Sequence, residues 1–554
     1  MYTIGIDFGT LSGRALLVDT RDGREIATAV FEYPHSVMDE ALPSGKALPP
    51  EWALQHPQDY IDVLTHTIPA VLAESGVDPS QVRGLAIDFT ASTPMPTKAD
   101  GTPLCMLPQY TDEPHAYVKL WKHHAAQPQA DRINAVARER GELWLKRYGG
   151  KYSSEWFFSK LLQILEEAPD VYADIDVFIE ATDWVIWQMT GNLTRNTCTA
   201  GYKMLVQDGQ YPSKDYFAAL NPAFENVIAE KVSGDFAPLG GKAGNLTSKM
   251  AEQLGLQTAV AVAVANVDAH VTAPAVKATQ PGVMVMIMGT STCHIMSGDH
   301  LEDVDGMCGV VDGGIIDGLY GYEAGQSGVG DIFAWFVDHA VPPEYHQAAK
   351  NAGMGLHDYL EQEAAKQEVG EHGLIALDWW NGNRSTLVDT ELSGLLIGAT
   401  LATRAPDIYR ALIESTAYGT REIIEAFEAR GVQVKELVAA GGLPEKNELL
   451  RQIYADVTGR TFKLAGSSQS PALGSAMHAA VAAGIYPDIN AAADKMGKLK
   501  DEIVTPIPEN QAVYDRLYAE YKTLYDYFGR GDNDVMKRLK HIRNEARREA
   551  DAVT

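Results

Sequence analysis

The sequence predicts an α/β protein of two layered halves facing one another across a cleft. Apolar, strand-like runs alternate with segments of helical periodicity along most of the chain, the pattern of stacked sheet and helix layers. Three of those runs end alike: Thr3-Ile4-Gly5-Ile6-Asp7-Phe8 passes into Gly9-Thr10-Leu11-Ser12-Gly13-Arg14, Val283-Met284-Val285-Met286-Ile287-Met288 into Gly289-Thr290-Ser291-Thr292, and Val438-Ala439-Ala440 into Gly441-Gly442. Length supplies the third observation, because 554 residues at 45% hydrophobic content exceed what a single core usually accommodates.

Taken in order, residues 2–8, 15–19 and 25–33 read as neighbouring strands, with Asp22-Gly23 as a turn. Residues 82–89 read as a further buried strand, and 91–108 as polar turn and loop. Helical stretches dominate from about 121 to 188. A second α/β half is expected from near 270 to about 495, with a long helix over 407–429 that places Leu412, Gly419, Ile423 and Phe427 near one face and stops at Gly431. No low-complexity linker separates the halves, so the expected division is 1–272, 273–495 and a helical tail over 496–554. In that tail Tyr514, Leu517, Tyr518, Tyr521, Leu524, Tyr525 and Phe528 recur at helical spacing as a core-facing stripe. The basic run Lys537-Arg538-Leu539-Lys540-His541-Ile542-Arg543 is expected to dock on the protein's own surface or on a partner subunit.

The repeated strand-to-turn element is how a backbone comes close to phosphates. Gly9 and Gly13 lack a Cβ and are expected to take positive φ, turning N–H groups inward as an anion-binding concavity; Thr10 and Ser12 add hydroxyl donors. Asp7 is the odd partner. A carboxylate about 4 Å from a phosphate is repelled by roughly 4 kcal/mol at an effective dielectric near 20, so a cation is expected between them. Mg²⁺, held through water, fits that need, and Arg14 can complete the charge balance as a fork-shaped donor. Three such strand ends suggest one nucleotide gripped between two halves. The Gly441-Gly442 turn would let a flat base or ribose approach the backbone, and Asn447 could contact the adenosine.

The net charge of −28 argues against nucleic-acid binding, which needs a basic footprint. Cys105, Cys198, Cys293 and Cys308 are scattered without CxxC spacing, which fits reduced thiols rather than a disulfide framework or zinc site. No apolar run is long enough for a membrane helix, and the N-terminus enters a strand without a basic leader. A cytoplasmic protein with no membrane partner is expected.

The residues then carry a resemblance. Asp7-Phe8-Gly9-Thr10 with Ser12 and Arg14, Asn266-Val267-Asp268-Ala269-His270, Gly289-Thr290-Ser291-Thr292, and the run from Gly394 to Glu414 followed by Gly441-Gly442 resemble the FGGY carbohydrate kinases, and the match spans nearly the whole chain. Leu11 departs from the pattern, where relatives often carry a polar residue. The resemblance implies a two-domain actin/hexokinase-like (ribonuclease H-like) fold with an interdomain cleft, and ATP with Mg²⁺ as cofactors. Within the family, Ala86-Ile87-Asp88-Phe89-Thr90-Ala91-Ser92-Thr93, Glu414 to Arg421 and Gln452 to Gly459 are similar to the branch acting on L-ribulose. The implied reaction is γ-phosphoryl transfer to the 5-hydroxyl of a ketopentose with Asp268 as base. Ala91 (backbone), Lys203, Asp268 and Glu323 are the implied sugar contacts; Gly9, Thr10, Ser12, Arg14, Gly289, Thr290, Gly441, Gly442 and Asn447 are the implied nucleotide contacts, with Asp7 on the metal through water. A homodimer is an admitted assembly. Xylulokinase-like or glycerol kinase-like specificity is the nearest competitor. A chaperone or filament ATPase of the same fold would want a peptide-binding β domain, and a sugar-sensing regulator a DNA-binding module or a missing base; the sequence offers neither.

Overall fold

Strand β1 (Tyr2–Phe8) is buried along most of its length, as expected where a sheet is covered on both faces. The computed structural model describes residues 1–553, with side chains through Ala546. β1 turns into β2 (Ser12–Asp19), which pairs with β3 (Arg24–Glu32), and all three run antiparallel. β1 also pairs in parallel with β4 (Val82–Phe89), reached through helix α1 (Pro57–Ser75). Helix α2 (Thr197–Lys203) precedes β5 (Lys242–Asn245), β6 (Ala261–Ala263) and β7 (Asn266–Val267), which complete a seven-stranded sheet in the order β5-β6-β4-β1-β2-β3, with β7 also pairing β4.

The second sheet repeats this plan after helix α3 (Asp268–Ala275). β8 (Val283–Met288) and β9 (Thr292–Gly298) form a hairpin, and β10 (Gly309–Asp312) and β11 (Tyr320–Gln326) extend it antiparallel through β11. Beyond helix α4 (Ala405–Glu428), β12 (Glu436–Ala440) pairs β8 in parallel. After helix α5 (Glu448–Thr458) come β13 (Thr461–Ala465), helix α6 (Ser470–Ala482) and β14 (Leu499–Val504), giving the order β10-β11-β9-β8-β12-β13-β14. Each sheet thus has an antiparallel set of strands, three in the first and four in the second, continued by parallel strands and closed by an antiparallel edge strand.

Helices α3 and α6 lie between the two sheets. Their core joins Leu16 and Val18 of the first sheet to Val285, Ile295, Val438 and Ala440 of the second through Ala273, Ala472, Leu473, Ala476 and Met477. α6 is buried nearly all round, which suits its small residues. A Cβ on Gly5 would lie 1.8 Å from the Ala472 carbonyl oxygen, one on Gly84 2.4 Å from that of Ala479, and one on Gly474 1.9 Å from that of Val271. Thr3 Oγ1 donates to the Ala476 carbonyl at 2.8 Å, which orients the same contact.

The tail is part of the second half's core. Tyr514, Tyr518, Tyr521 and Tyr525 of helix α7 (Pro508–Gly529) are buried in the second half's core, three of them against Tyr418 of α4, so the aromatic stripe faces inward as read. On helix α8 (Val535–Val553) Lys537 pairs with Asp389 at 2.7 Å and Lys540 with Glu391 at 3.1 Å; the basic run docks on its own surface.

Two local expectations are corrected. Residues 91–108 are not all loop: Pro94–Thr97 is a strand paired with Val177–Glu180, which itself interrupts the helical region. Its two prolines hid it, and a two-stranded ribbon tolerates them because its outer edge needs no donors. Gly9 and Gly13 do not take positive φ. Gly13 lies within β2, where a Cβ would strike the Val63 side chain of α1 at 2.5 Å, so its small size serves packing.

Gly5→Ala should lower stability by about 1 to 3 kcal/mol, the usual cost of overpacking a close contact, measured by the urea unfolding midpoint.

Candidate active site

The parallel strands of the first sheet end on a row of acids. Asp7 near the end of β1 is in register with Arg14 on β2 and with Asp88 on β4, and Asp88 with Asn266 on β7, two residues before Asp268 opens α3. This is the carboxyl edge of an open sheet, where ligand clefts form. Arg14 Nε stands 3.5 Å from Asp7 Oδ2, with the Asp7 side chain 15% exposed. Asp88 is fully buried and accepts a 2.6 Å bond from Ser475 Oγ of α6. Burial, the Asp7 charge and then Asp268 push the Asp88 carboxyl well above its ordinary range. Burial also raises Asp7, against the Arg14 charge and the neighbouring Asp88 carboxyl. Asp268 is pushed up to about 7 by burial and then by Asp7, with Glu323 adding to the rise; the 2.6 Å bond from the Ala269 N–H and the Lys203 charge oppose it.

On the other side of Asp268 lies a buried ion cluster. Glu323 on β11 has Arg384 Nη2 at 2.8 Å on Oε1, and His270 Nε2 at 3.4 Å and Lys203 Nζ at 3.6 Å on Oε2. Burial alone would raise the Glu323 carboxyl, but Lys203, then His270 and Arg384, outweigh it and hold it well below the usual carboxylate range. Lys203 ends α2, its backbone carbonyl receiving the Tyr152 hydroxyl at 2.5 Å and its ammonium lying 4.9 Å from the centroid of the Trp156 ring. His270 stacks on Tyr202 at 4.5 Å. Ala91 packs with Tyr202 and Val267, so its loop reaches the same place. That loop is held from behind: Lys160 donates to the Ser92 carbonyl at 2.7 Å, and Glu180 accepts from the Thr93 N–H at 2.8 Å.

The two hairpins close alike. Gly9 N–H donates to the Ser12 carbonyl at 2.9 Å, and Gly289 N–H to the Ser291 carbonyl at 2.9 Å. Thr10 receives Trp121 Nε1 on Oγ1 at 3.1 Å and Gln55 Nε2 on its carbonyl at 2.7 Å. Gly289 and Thr290 are exposed, and the Thr290 carbonyl accepts from Val329 N–H at 2.8 Å. Gly441, at φ 106°, abuts the second hairpin, since a Cβ there would lie 2.3 Å from the Met288 carbonyl oxygen. Gly442 is open. Asn447 caps α5, its Oδ1 accepting from Leu450 N–H at 2.7 Å, so that oxygen is committed to the fold and its amide N–H₂ remains for a ligand. The two sets of residues meet through α3, which carries Asp268 and touches both β8 and β9.

Sequence reasoning missed Arg384, Ser475, Trp156 and the Lys160–Glu180 pair, and it gave His270 no role. Arg384 sits in an irregular segment after Trp379-Trp380, with no period or motif to flag it. Among the described residues, His35, His56 and Asp59 also bring potential ligand atoms together. The two imidazoles, however, stack at 4.2 Å and 19°, so their in-plane lone pairs run side by side instead of converging on an ion.

Comparisons with known proteins give the same picture. The N-terminal domain of the FGGY family of carbohydrate kinases matches residues 2–274 and the C-terminal domain residues 284–483. The ribulokinase of Geobacillus thermodenitrificans is 57% identical, covering 100% of this chain and 99% of the relative. That of Mycolicibacterium smegmatis is 56% identical, covering 99% and 97%. Among solved structures, the xylulose kinase of Rhodospirillum rubrum superposes with a TM-score of 0.77 at 21% identity over 95% of this chain and 98% of that one, a likeness of fold. No helix among the described residues is long and apolar enough to cross a membrane. With two sheets of one plan, a row of acids at a strand edge and both family domains matched in order, the chain belongs to the FGGY family of carbohydrate kinases.

Proposed function

We propose that this carbohydrate kinase acts as a ribulokinase of the cytoplasm, moving the γ-phosphoryl group of ATP to the 5-hydroxyl of L-ribulose. The observation that carries the reading is Asp268, flanked by the Asp7–Arg14 hairpin on one side and by the Lys203–Glu323–Arg384 cluster on the other. The full-length identity to ribulokinases supports the choice of sugar. In this reading residues 1–272 form the sugar side and carry the first hairpin, 273–495 carry the second hairpin and adenosine site, with Glu323 reaching across to the sugar, and 496–554 are the tail.

The proposed chemistry follows from the charges. Lys203 donates to sugar hydroxyls and Glu323 accepts from them, and a site of committed buried polar groups rejects an analogue that lacks the matching hydroxyl. Asp268, with its pKa near the working pH, orients the 5-hydroxyl and takes its proton as the oxygen attacks phosphorus. Gly9, Thr10, Ser12, Arg14, Gly289 and Thr290 serve the phosphates, and Gly441, Gly442 and Asn447 the adenosine. Asp7, partly exposed among hard oxygen donors with only Arg14 to offset its charge, suits Mg²⁺ held through water. Bound there with ATP, the ion would offset phosphate charge.

Asp268→Asn should keep the fold and ATP binding but lose on the order of 10²-fold or more in kcat; near-normal turnover removes the assignment. Lys203→Ala and Glu323→Ala should each raise KM for the sugar far more than for ATP, by steady-state kinetics. In a panel of L-ribulose, D-ribulose, L-xylulose, D-xylulose and glycerol with Mg-ATP, L-ribulose should give the highest kcat/KM, and a preference for D-xylulose or glycerol would overturn the substrate.

The raised Asp268 pKa also links to stability. The folded protein keeps that proton up to about pH 7, whereas the unfolded chain releases it near 3.8, so this group's contribution falls as pH rises through that window. Asp268→Asn should flatten the decline by up to ~1.4 kcal/mol per pH unit, seen in urea unfolding across the same window.

A further inference from the structure

We propose that the two C-terminal helices, which lie beyond the residues matched by the family's domains, form a clamp that sets the position of Arg384 and thereby the affinity for sugar. Tyr525 is the positioning residue. The inference rests on the reading of Glu323 as a sugar contact.

Arg384 lies in a segment without regular structure, between Leu377 and Leu395, that the tail grips along its length. The Tyr525 hydroxyl meets Thr386 Oγ1 at 3.0 Å and accepts from Thr386 N–H at 3.3 Å and Asn383 Nδ2 at 3.5 Å, bracketing Arg384 from both sides in sequence. Its ring packs edge-on to Trp379 at 5.1 Å. One turn earlier, the Tyr521 hydroxyl donates to Asp378 Oδ1 at 3.0 Å, and Asp378 Oδ2 accepts from Gln326 Nε2 at 2.7 Å. Gln326 ends β11, the strand that carries Glu323. At the end of α7, a Cβ on Gly529 would lie 2.3 Å from Leu387 Cδ1. α8 then ties Lys537 to Asp389 at 2.7 Å and Lys540 to the Thr390 carbonyl at 2.8 Å.

The consequence is mechanical. The Arg384 side chain is 39% exposed, with its guanidinium laid against Gly325 of β11, where a Cβ would lie 3.0 Å from its Nε. Its backbone is placed by the tail on one side and by β11 on the other, where Ser385 Oγ accepts from Gly325 N–H at 3.3 Å. Loosening the tail's grip lets the arginine leave Glu323. That carboxylate then turns toward Lys203 and His270 alone, and its hydrogen-bonding geometry toward the sugar degrades.

Steady-state kinetics on full-length variants tests this. Tyr525→Phe keeps the ring against Trp379 and removes only the hydroxyl. It should raise KM for L-ribulose about 3- to 10-fold, the size of one lost hydrogen bond, with KM for ATP within about 2-fold and kcat changed far less than the sugar KM. Lys537→Met, a surface change, should shift the sugar KM in the same direction by less, and Arg384→Ala by more. A Tyr525→Phe protein with a lowered Tm and an unchanged sugar KM makes the tail merely structural and overturns the clamp. If Glu323→Ala raises the sugar KM while Tyr525→Phe and Lys537→Met do not, the clamp fails and the site stands; if Glu323→Ala leaves it unchanged, the site reading fails and the clamp with it.

Discussion

The architecture depends on one contact: the backbone of α6 pressed against the backbones of β1, β4 and α3. The contact exists because Gly5, Gly84 and Gly474 present no Cβ, where a methyl group would overlap carbonyl oxygens of the opposing element. Close approach of this kind maximises dispersion contacts between groups too small to bury much area singly. It also couples the halves chemically, since the helix that fills the gap delivers the Ser475 hydroxyl to Asp88 at 2.6 Å. A helix from the second half of the chain thus finishes the acid row of the first.

Two opposite electrostatic neighbourhoods meet at Asp268. Toward the first hairpin, Asp7, Asp88 and Asp268 crowd together with only Arg14 near, and burial with like-charge repulsion raises the pKa of the inner acids. Toward β11, Glu323 is surrounded by Lys203, His270 and Arg384 and stays ionised. Pairs of titratable groups pushed apart in this way mark acid and base roles in many sites. One side is thus a cluster of carboxyls, and the other a carboxylate among three nitrogen bases. This polarity, more than the overall charge of −28, bears on what the cleft takes up.

The tyrosine stripe of α7 does more than fill the core. Each buried hydroxyl finds a partner: Tyr514 on Glu414, Tyr518 on Glu422 and Glu425, Tyr521 on Asp378 and Tyr525 on Thr386. Satisfying those hydroxyls avoids the penalty of orphaned polar groups and ties the last helices to one register on the second half.

The amino-acid sequence by itself determined the local elements and the identity of the family. β1 and β4 follow from continuous apolar runs, the inward tyrosines from helical spacing, and the Asp7, Asp268 and Gly289 motifs from residues close in the chain. Such signals are legible because periodicity and turn chemistry act over a few neighbours. The tertiary structure alone decided that Gly13 is a packing glycine, that Asn447 spends its oxygen on a helix cap, and that Arg384, 61 residues from Glu323, shares its carboxylate. Those contacts join segments far apart in sequence, and their partners are chosen by how whole elements pack, which no local pattern encodes.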